Sequence, residues 1–266
     1  MSKVVFITGA TDGIGRATAE QFALAGHHLL LHGRSREKLA HVVDDLDAKG
    51  EGTVSSYLAD LSRLDDIETM CDDIRNDGHV IDVLLNNAGI LNTNQPINNE
   101  GLDVRFMVNT IAPYMIVKRL QPSLSDGARI INLSSAAQER LNIRAFKGEQ
   151  MISEAFSAYA QSKLAVLMWN RYLSSQPEFK EQVFIGVNPG SLLGSKMVKE
   201  GFGIAGKDIS IGANILVSLA LEQQYEDSTG LYFDNDIGEF APLSIDALDD
   251  EGCLRLISEM ESIINR

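Results

Sequence analysis

The chain has 266 residues, 44% of them apolar, which suffices for one large core and makes one α/β domain over 1–266 the expectation. Its formal charge of -14, from 37 acidic against 23 basic side chains, opposes binding to nucleic acid or to an anionic bilayer. No apolar stretch approaches the ~20 residues that cross a membrane, so no membrane span is expected.

Val4 to Thr8 is the first apolar run of strand length. It starts too early for a cleaved signal, and cytoplasm is the expected location. The turn Thr8-Gly9-Ala10-Thr11-Asp12-Gly13-Ile14-Gly15 follows directly and opens a helical pattern over Ile14 to Leu24. Glycines there permit positive φ, clear space for a pyrophosphate and let amides at a helix N-terminus face the anion. An ordinary strand-to-helix loop is the alternative, but position in the first crossover favours a nucleotide site.

His28 to His32 is the second strand. Dinucleotide proteins read the adenine ribose near its end, about 20 residues past the turn. Here Gly33-Arg34-Ser35 offers no carboxylate for a free 2′-hydroxyl, whereas Arg34 carries a permanently charged fork suited to a 2′-phosphate. NADP(H) is therefore favoured over NAD(H). Asp12 opposes that choice by placing a carboxylate in the turn, and Arg34 as a surface residue beside a Ser35 cap is the alternative.

Helical spacing over Arg36 to Leu46 leads to a strand at Thr53 to Leu58 and then to Asp60 and Leu61, where Asp60 can meet adenine or start the next helix with Ser62. Ile67 to Ile74 is helical, Val80 to Asn86 a strand, Leu102 to Leu120 helical, and Arg129 to Ser134 and Val183 to Val187 are strands. Such alternation demands parallel pairing through right-handed crossovers. The expected fold is a Rossmann-type doubly wound parallel sheet of about seven strands with helices on both faces. No repeat or linker marks a second domain.

Two stretches break the alternation, 136–156 and 191–207. Both follow strand C-terminal ends, where open α/β sheets place ligands, and are the expected substrate walls. Phe146, Met151 and Phe156 in the first, with Met197, Phe202 and Ile204 in the second, offer either an apolar lining or ordinary packing. Gly201, Gly203 and Gly206 suggest a second wall that moves. Cys71 and Cys253 lie far apart without metal-ligand spacing, and the histidines show no ligand pattern, so neither disulfide nor metal is expected.

Behind the glycine turn come Asn86-Asn87-Ala88-Gly89, Asn109 within its helical run, Ser134-Ser135, Tyr159-Ala160-Gln161-Ser162-Lys163 and Asn188-Pro189-Gly190. In this order the motifs resemble the short-chain dehydrogenase/reductase family over essentially the whole length. The long interval from Ser135 to Tyr159, the Gly33-Arg34 pair and Gly230-Leu231-Tyr232-Phe233 look like its branch of retinol dehydrogenases and light-dependent protochlorophyllide reductases.

The resemblance implies hydride transfer between a nicotinamide cofactor and a small carbonyl or alcohol substrate, apolar if the walls line a pocket. The alkoxide so formed must be protonated, and a phenol with a pKa near 10 is a poor base at neutral pH. Tyr159 and Lys163, at i and i+4, share a helix face, so the ammonium is expected to favour the phenolate. The family also gives Lys163 the nicotinamide ribose, Ser135 the substrate oxygen, and Asn109 a water that relays protons; a buried, satisfied amide is a compatible reading of Asn109. Asn87, Ala88 and Gly89 form a small turn beside the cofactor, as do Pro189 and Gly190 near the nicotinamide. Gly194 departs from the family, which commonly has a threonine there, and leaves Ser191 or Ser195 to substitute. Rival readings are reduction of an activated carbon-carbon double bond by the same tyrosine and a non-catalytic NADP(H) sensor; the latter often loses the tyrosine or lysine kept here. Homodimers or homotetramers through the helices of Asn109 and Tyr159 are common in the family, and Met168, Trp169 and Tyr172 can serve either a subunit face or the core.

Overall fold

The structure, a computed structural model, describes residues 2–50 and 52–265, with only the backbone of Phe202. The proposed place of the Phe202 side chain in the second wall therefore lies outside the described atoms. Eight strands form one sheet: β1 (Val4–Ile7), β2 (His28–Gly33), β3 (Val54–Leu58), β4 (Ile81–Asn86), β5 (Leu124–Leu133), β6 (Val183–Asn188), β7 (Leu231–Asp234) and β8 (Glu239–Ala241). Their spatial order is β3-β2-β1-β4-β5-β6-β7-β8. All neighbours are parallel except the β7–β8 pair. The direction of winding reverses between β1 and β4, the kind of switch point that leaves a crevice beyond the strand ends.

The central strands read as apolar runs because both faces are covered. Along β1, Val5 and Ile7 enter one core while Phe6 enters the other. Helices α1 (Gly13–Leu24), α2 (Arg36–Asp47) and α9 (Ser210–Leu221) contribute to the first. Helices α3 (Leu64–Asn76), α5 (Ala112–Leu120), α7 (Ala155–Ser174) and α10 (Asp250–Ile264) contribute to the second. Short helices α4 (Val104–Phe106), α6 (Ile143–Phe146) and α8 (Lys196–Phe202) complete the set used below.

The helical run predicted over Leu102 to Leu120 is interrupted. Between α4 and α5 the backbone widens into a π turn, Met107–Ile111, centred on Asn109. Pro113 supplies a cause: it has no N–H to give the carbonyl four residues back, which is that of Asn109, and its ring crowds the same carbonyl. β5 begins at Leu124, five residues before the apolar run at Arg129, across a register shift between Ile81 and Val83.

Helix α7 is buried nearly all round, and α10 lies on its outer side. Leu256, Met260 and Ile263 of α10 share a core with Tyr114 and Trp169. Arg171 pairs with Asp250, Tyr114 donates to Glu261, and Lys147 lies 3.4 Å from Glu259. Met168 and Trp169 are thus core residues, at 4% and 0% exposure.

Candidate active site

The glycine turn is fastened to the end of β4. Thr8 Oγ1 accepts from the amides of Asn87 at 3.0 Å and Ala88 at 3.1 Å, while Asn87 Nδ2 donates to the carbonyls of Thr8 and Gly9. A Cβ on Gly15 would lie 2.3 Å from Asn87 Nδ2 and 2.4 Å from the Gly9 carbonyl, so only glycine lets the helix start this close to the asparagine. His32 supports the turn from behind. Its Nδ1 accepts from the Gly9 amide at 3.1 Å, which puts the ring proton on Nε2, 3.0 Å from the Ala59 carbonyl. Burial holds this imidazole neutral, with a pKa pushed down to about 4.

Asp12 caps α1 by accepting from the Gly13 amide at 2.8 Å. Its second oxygen faces Lys38 Nζ at 3.7 Å, so the negative charge in the turn is met by a lysine that the sequence reading passed over. Arg34 is exposed nearby in sequence, and Ser35 caps α2 through the Lys38 amide. Asp60 accepts from the Ser62 amide and hydroxyl instead of capping α3, whose N-cap is Arg63. Its expected part in starting that helix is thus limited to shaping the turn before it; Leu61 beside it is buried.

Across the crevice stand Ser135, Tyr159, Lys163 and Asn109. Ser135 Oγ accepts from the Ala137 amide at 3.1 Å, and its carbonyl is gripped by Gln138 Nε2 at 3.1 Å and by the Tyr232 hydroxyl at 3.3 Å. Its hydroxyl lies near enough to the Tyr159 phenol to lower that group's pKa. Ser134 turns the other way and donates to the Lys163 carbonyl. Burial pushes Tyr159 above its ordinary value, and the Ser135 hydroxyl draws it back. Burial thus outweighs any depression of the phenol by Lys163 in this structure. Lys163 Nζ sits 5.6 Å from the Tyr159 ring centroid and donates to the Leu133 carbonyl at 2.8 Å, and burial brings its own pKa down to about 8.

Asn109 is satisfied on both sides of its amide. It accepts from the Ile90 amide at 2.8 Å and donates to the Ile90 carbonyl and to Ser162 Oγ, each at 2.9 Å. The π turn thereby holds the segment after β4 in place. A Cβ on Gly89 would lie 3.5 Å from both Asn109 Oδ1 and Lys163 Nζ, which brings these three sequence-predicted residues together.

Beyond β6, Asn188 Nδ2 donates to Asp234 and Asp236, and Gly190 follows with φ 125° after Pro189. Asp236, in the β7–β8 turn, accepts from the Ser191 amide and hydroxyl and pairs with Lys207 at 3.8 Å. Partial burial alone would raise this carboxyl, but Ser191, Asn188 and Lys207 carry it below its usual value. Nothing local marked Asp236, since its partners lie 29 to 48 residues earlier. Ser191 is thus committed to the sheet edge. Ser195 caps α8, and its Cβ would stand 3.7 Å from a Cβ on Gly13, over the phosphate turn. The departure at Gly194 has a steric reason: a Cβ there would sit 3.0 Å from the carbonyls of both Ala205 and Lys207, where the second wall doubles back.

Of the apolar wall candidates, Phe146 is core, fully buried against Phe106 at 5.3 Å. Phe156 stands half-exposed with its ring 6.4 Å from that of Tyr159, Met151 and Ile204 are exposed, and Met197 Cε approaches Gly89. The donors on either side suit a dinucleotide: helix amides at the glycine turn, and hydroxyl, phenol and ammonium at Ser135, Tyr159 and Lys163. Among the described residues no helix is long and apolar enough to cross a membrane.

Comparison with known proteins bears on the family and the fold. The family model described as short chain dehydrogenase matches residues 3–202. Retinol dehydrogenase 13 of Mus musculus is 28% identical, covering 98% of this chain and 84% of its own. An uncharacterized protein from Mycobacterium paratuberculosis, 22% identical, shares the fold with a TM-score of 0.79 over 99% of this chain and 93% of its own. A short chain dehydrogenase from Escherichia coli CFT073, complexed with NADPH, is 25% identical with a TM-score of 0.71, over 88% of this chain and 96% of its own. The chain belongs to the short-chain dehydrogenase/reductase family of oxidoreductases and is similar to its retinol dehydrogenase branch.

Proposed function

We propose that this oxidoreductase uses NADP(H) to interconvert a carbonyl and an alcohol, with Tyr159 as acid and base. The observation that carries the reading is the Ser135 hydroxyl set beside the Tyr159 phenol, with the serine held by Gln138 and Tyr232 at its carbonyl and by the Ala137 amide at its Oγ. The bound cofactor supplies or accepts the hydride. Ser135 donates to the substrate oxygen and holds it against the phenol. Burial keeps Tyr159 protonated near neutrality, which suits proton donation to a carbonyl oxygen. Lys163, with a pKa near 8, is mostly charged at pH 7, and its ammonium steadies the phenolate left behind. Asn109 positions the segment after β4, and Thr8 to Gly15, Asn87 to Gly89, Pro189 and Gly190 form the cofactor walls.

NADP(H) over NAD(H) is favoured by Arg34 and by Lys38, which offsets Asp12. The NADPH carried by the Escherichia coli relative supports the same choice. Apolar Phe156, Met151 and Ile204 favour an apolar substrate.

The test is turnover of a carbonyl panel with NADPH and NADH by the parent and by Tyr159→Phe. The variant is expected to bind NADPH, read by fluorescence titration, while kcat falls roughly 10²–10⁴-fold. Full turnover by Tyr159→Phe overturns the assignment.

A further inference from the structure

A cavity of about 240 Å³ lies beside the proposed catalytic helix, with Thr93, Ile97, Arg105, Phe106, Gln150 and Ala155 in its lining. Ala155 opens α7 one helical turn before Tyr159, on the same helix face. The remaining walls come from the segment after β4 and from the end of the first substrate wall. The volume falls below the roughly 300–1,000 Å³ of sites that enclose a whole ligand. It suits one end of a molecule whose reacting end lies at Tyr159.

The cavity holds one charged group of unusual disposition. Arg105 and Asp103 have side chains only 5% and 9% exposed. Arg105 Nε donates to Asp103 Oδ1 at 2.9 Å and Nη2 donates to Oδ2 at 2.6 Å, a bidentate pair. The third nitrogen, Nη1, makes no hydrogen bond to a described residue. A donor so nearly buried gains from any acceptor that reaches it. The charge of the guanidinium is already balanced by Asp103, so a carboxylate would bring an uncompensated negative charge beside the buried Asp103 carboxylate. A neutral oxygen would not.

We infer that this cavity receives the far end of the substrate and selects a largely apolar carbonyl or alcohol compound bearing a second, uncharged acceptor, a hydroxyl or a carbonyl, which Arg105 Nη1 reads. The inference rests on the reaction proposed above. Ile97, Phe106 and the methyl of Ala155 supply the apolar walls for the chain between the two oxygens, and Thr93 and Gln150 offer further polar contacts at the rim.

The holoprotein with NADPH is assayed on straight-chain aldehydes from hexanal to dodecanal, each beside its ω-hydroxy and ω-carboxy counterparts. At the chain length that spans the site, the ω-hydroxy aldehyde is expected to have kcat/KM about tenfold above the plain aldehyde, the worth of one hydrogen bond to a charged donor. The ω-carboxylate gains nothing. Arg105→Met brings the hydroxy-to-plain ratio towards one. Because that change leaves Asp103 buried without its partner, Ile97→Trp is measured in parallel; it fills the cavity, keeps the ion pair and lowers the long-chain to hexanal ratio about tenfold. A parent with no ω-hydroxy preference, a preference for the ω-carboxylate, or ratios unchanged in a folded variant overturns the inference while leaving the proposed reaction standing. Absence of turnover on every aldehyde with either cofactor overturns the reaction, and the inference with it.

Discussion

At the scale of single residues, the nucleotide end depends on side chains set back from the ligand. His32 accepts from the Gly9 amide only while neutral. Its folded pKa, about 4, lies below the unfolded value near 6.5, so the folded chain binds fewer protons. The stability it contributes is complete above pH 6.5 and is lost as pH falls towards 4, by about 3 kcal/mol. Urea unfolding at neutral pH and at pH 4 should show a smaller difference in His32→Asn than in the parent. Lys163 carries a second pH signature. With a pKa near 8, its loss of charge should lower carbonyl reduction as pH rises through that value, read as the basic limb of the kcat profile. Lys38→Glu should cut the ratio of NADPH to NADH kcat/KM about tenfold, with the effect shrinking in high salt because the pair with Asp12 is exposed. The glycine turn and the Tyr159–Lys163 pair were legible in the sequence because each is contiguous or one helical turn apart. Lys38 and Asp236 were not, since their partners lie 26 residues away for the first and 29 to 48 for the second, where periodicity carries no information.

At the scale of elements, the second wall shows how a local departure from a family pattern is absorbed. Gly194 donates to the Lys207 carbonyl at 2.7 Å, and Lys207 returns the bond to Leu192 at 2.7 Å, so the strand-like return leaves no room for a side chain. Gly194→Thr, although it restores the common family residue, should cost roughly 1–3 kcal/mol by overpacking and weaken cofactor binding. Thermal unfolding and NADPH titration check both effects. Strand and helix centres were readable because burial on both faces makes them apolar, as with Leu29 to Leu31. The start of β5 was not, because Ser125, Asp126 and Gly127 are polar and partly exposed, nor was β8, three residues long and antiparallel at the edge. The π turn escaped a pattern built on regular helical spacing. Phe146 was ambiguous for a related reason: an aromatic residue in a stretch without clear periodicity looks the same whether it faces a pocket or, as here at the end of α6, Phe106.

At the scale of the whole molecule, α10 decides which faces remain outside. Its apolar side covers α5 and α7, the helices through which family members commonly associate, and that side is completed by the Asp250, Glu259 and Glu261 contacts. The chain is expected to sediment as a 29.1 kDa monomer, and Met260→Asp, by unseating α10, should produce self-association or precipitation at the same concentration. The sequence left Met168 and Trp169 open between core and interface because the element that covers them lies some 90 residues further on. A different consequence follows from Asp236, whose carboxylate ties the Asn188–Pro189–Gly190–Ser191 segment to the β7–β8 edge. Any ligand that orders that segment must also order the edge, and the coupling is reciprocal. Cofactor should therefore slow amide hydrogen exchange in Leu231–Asp234 and Glu239–Ala241, far from the phosphate turn, and loosening the edge should weaken cofactor by the same factor.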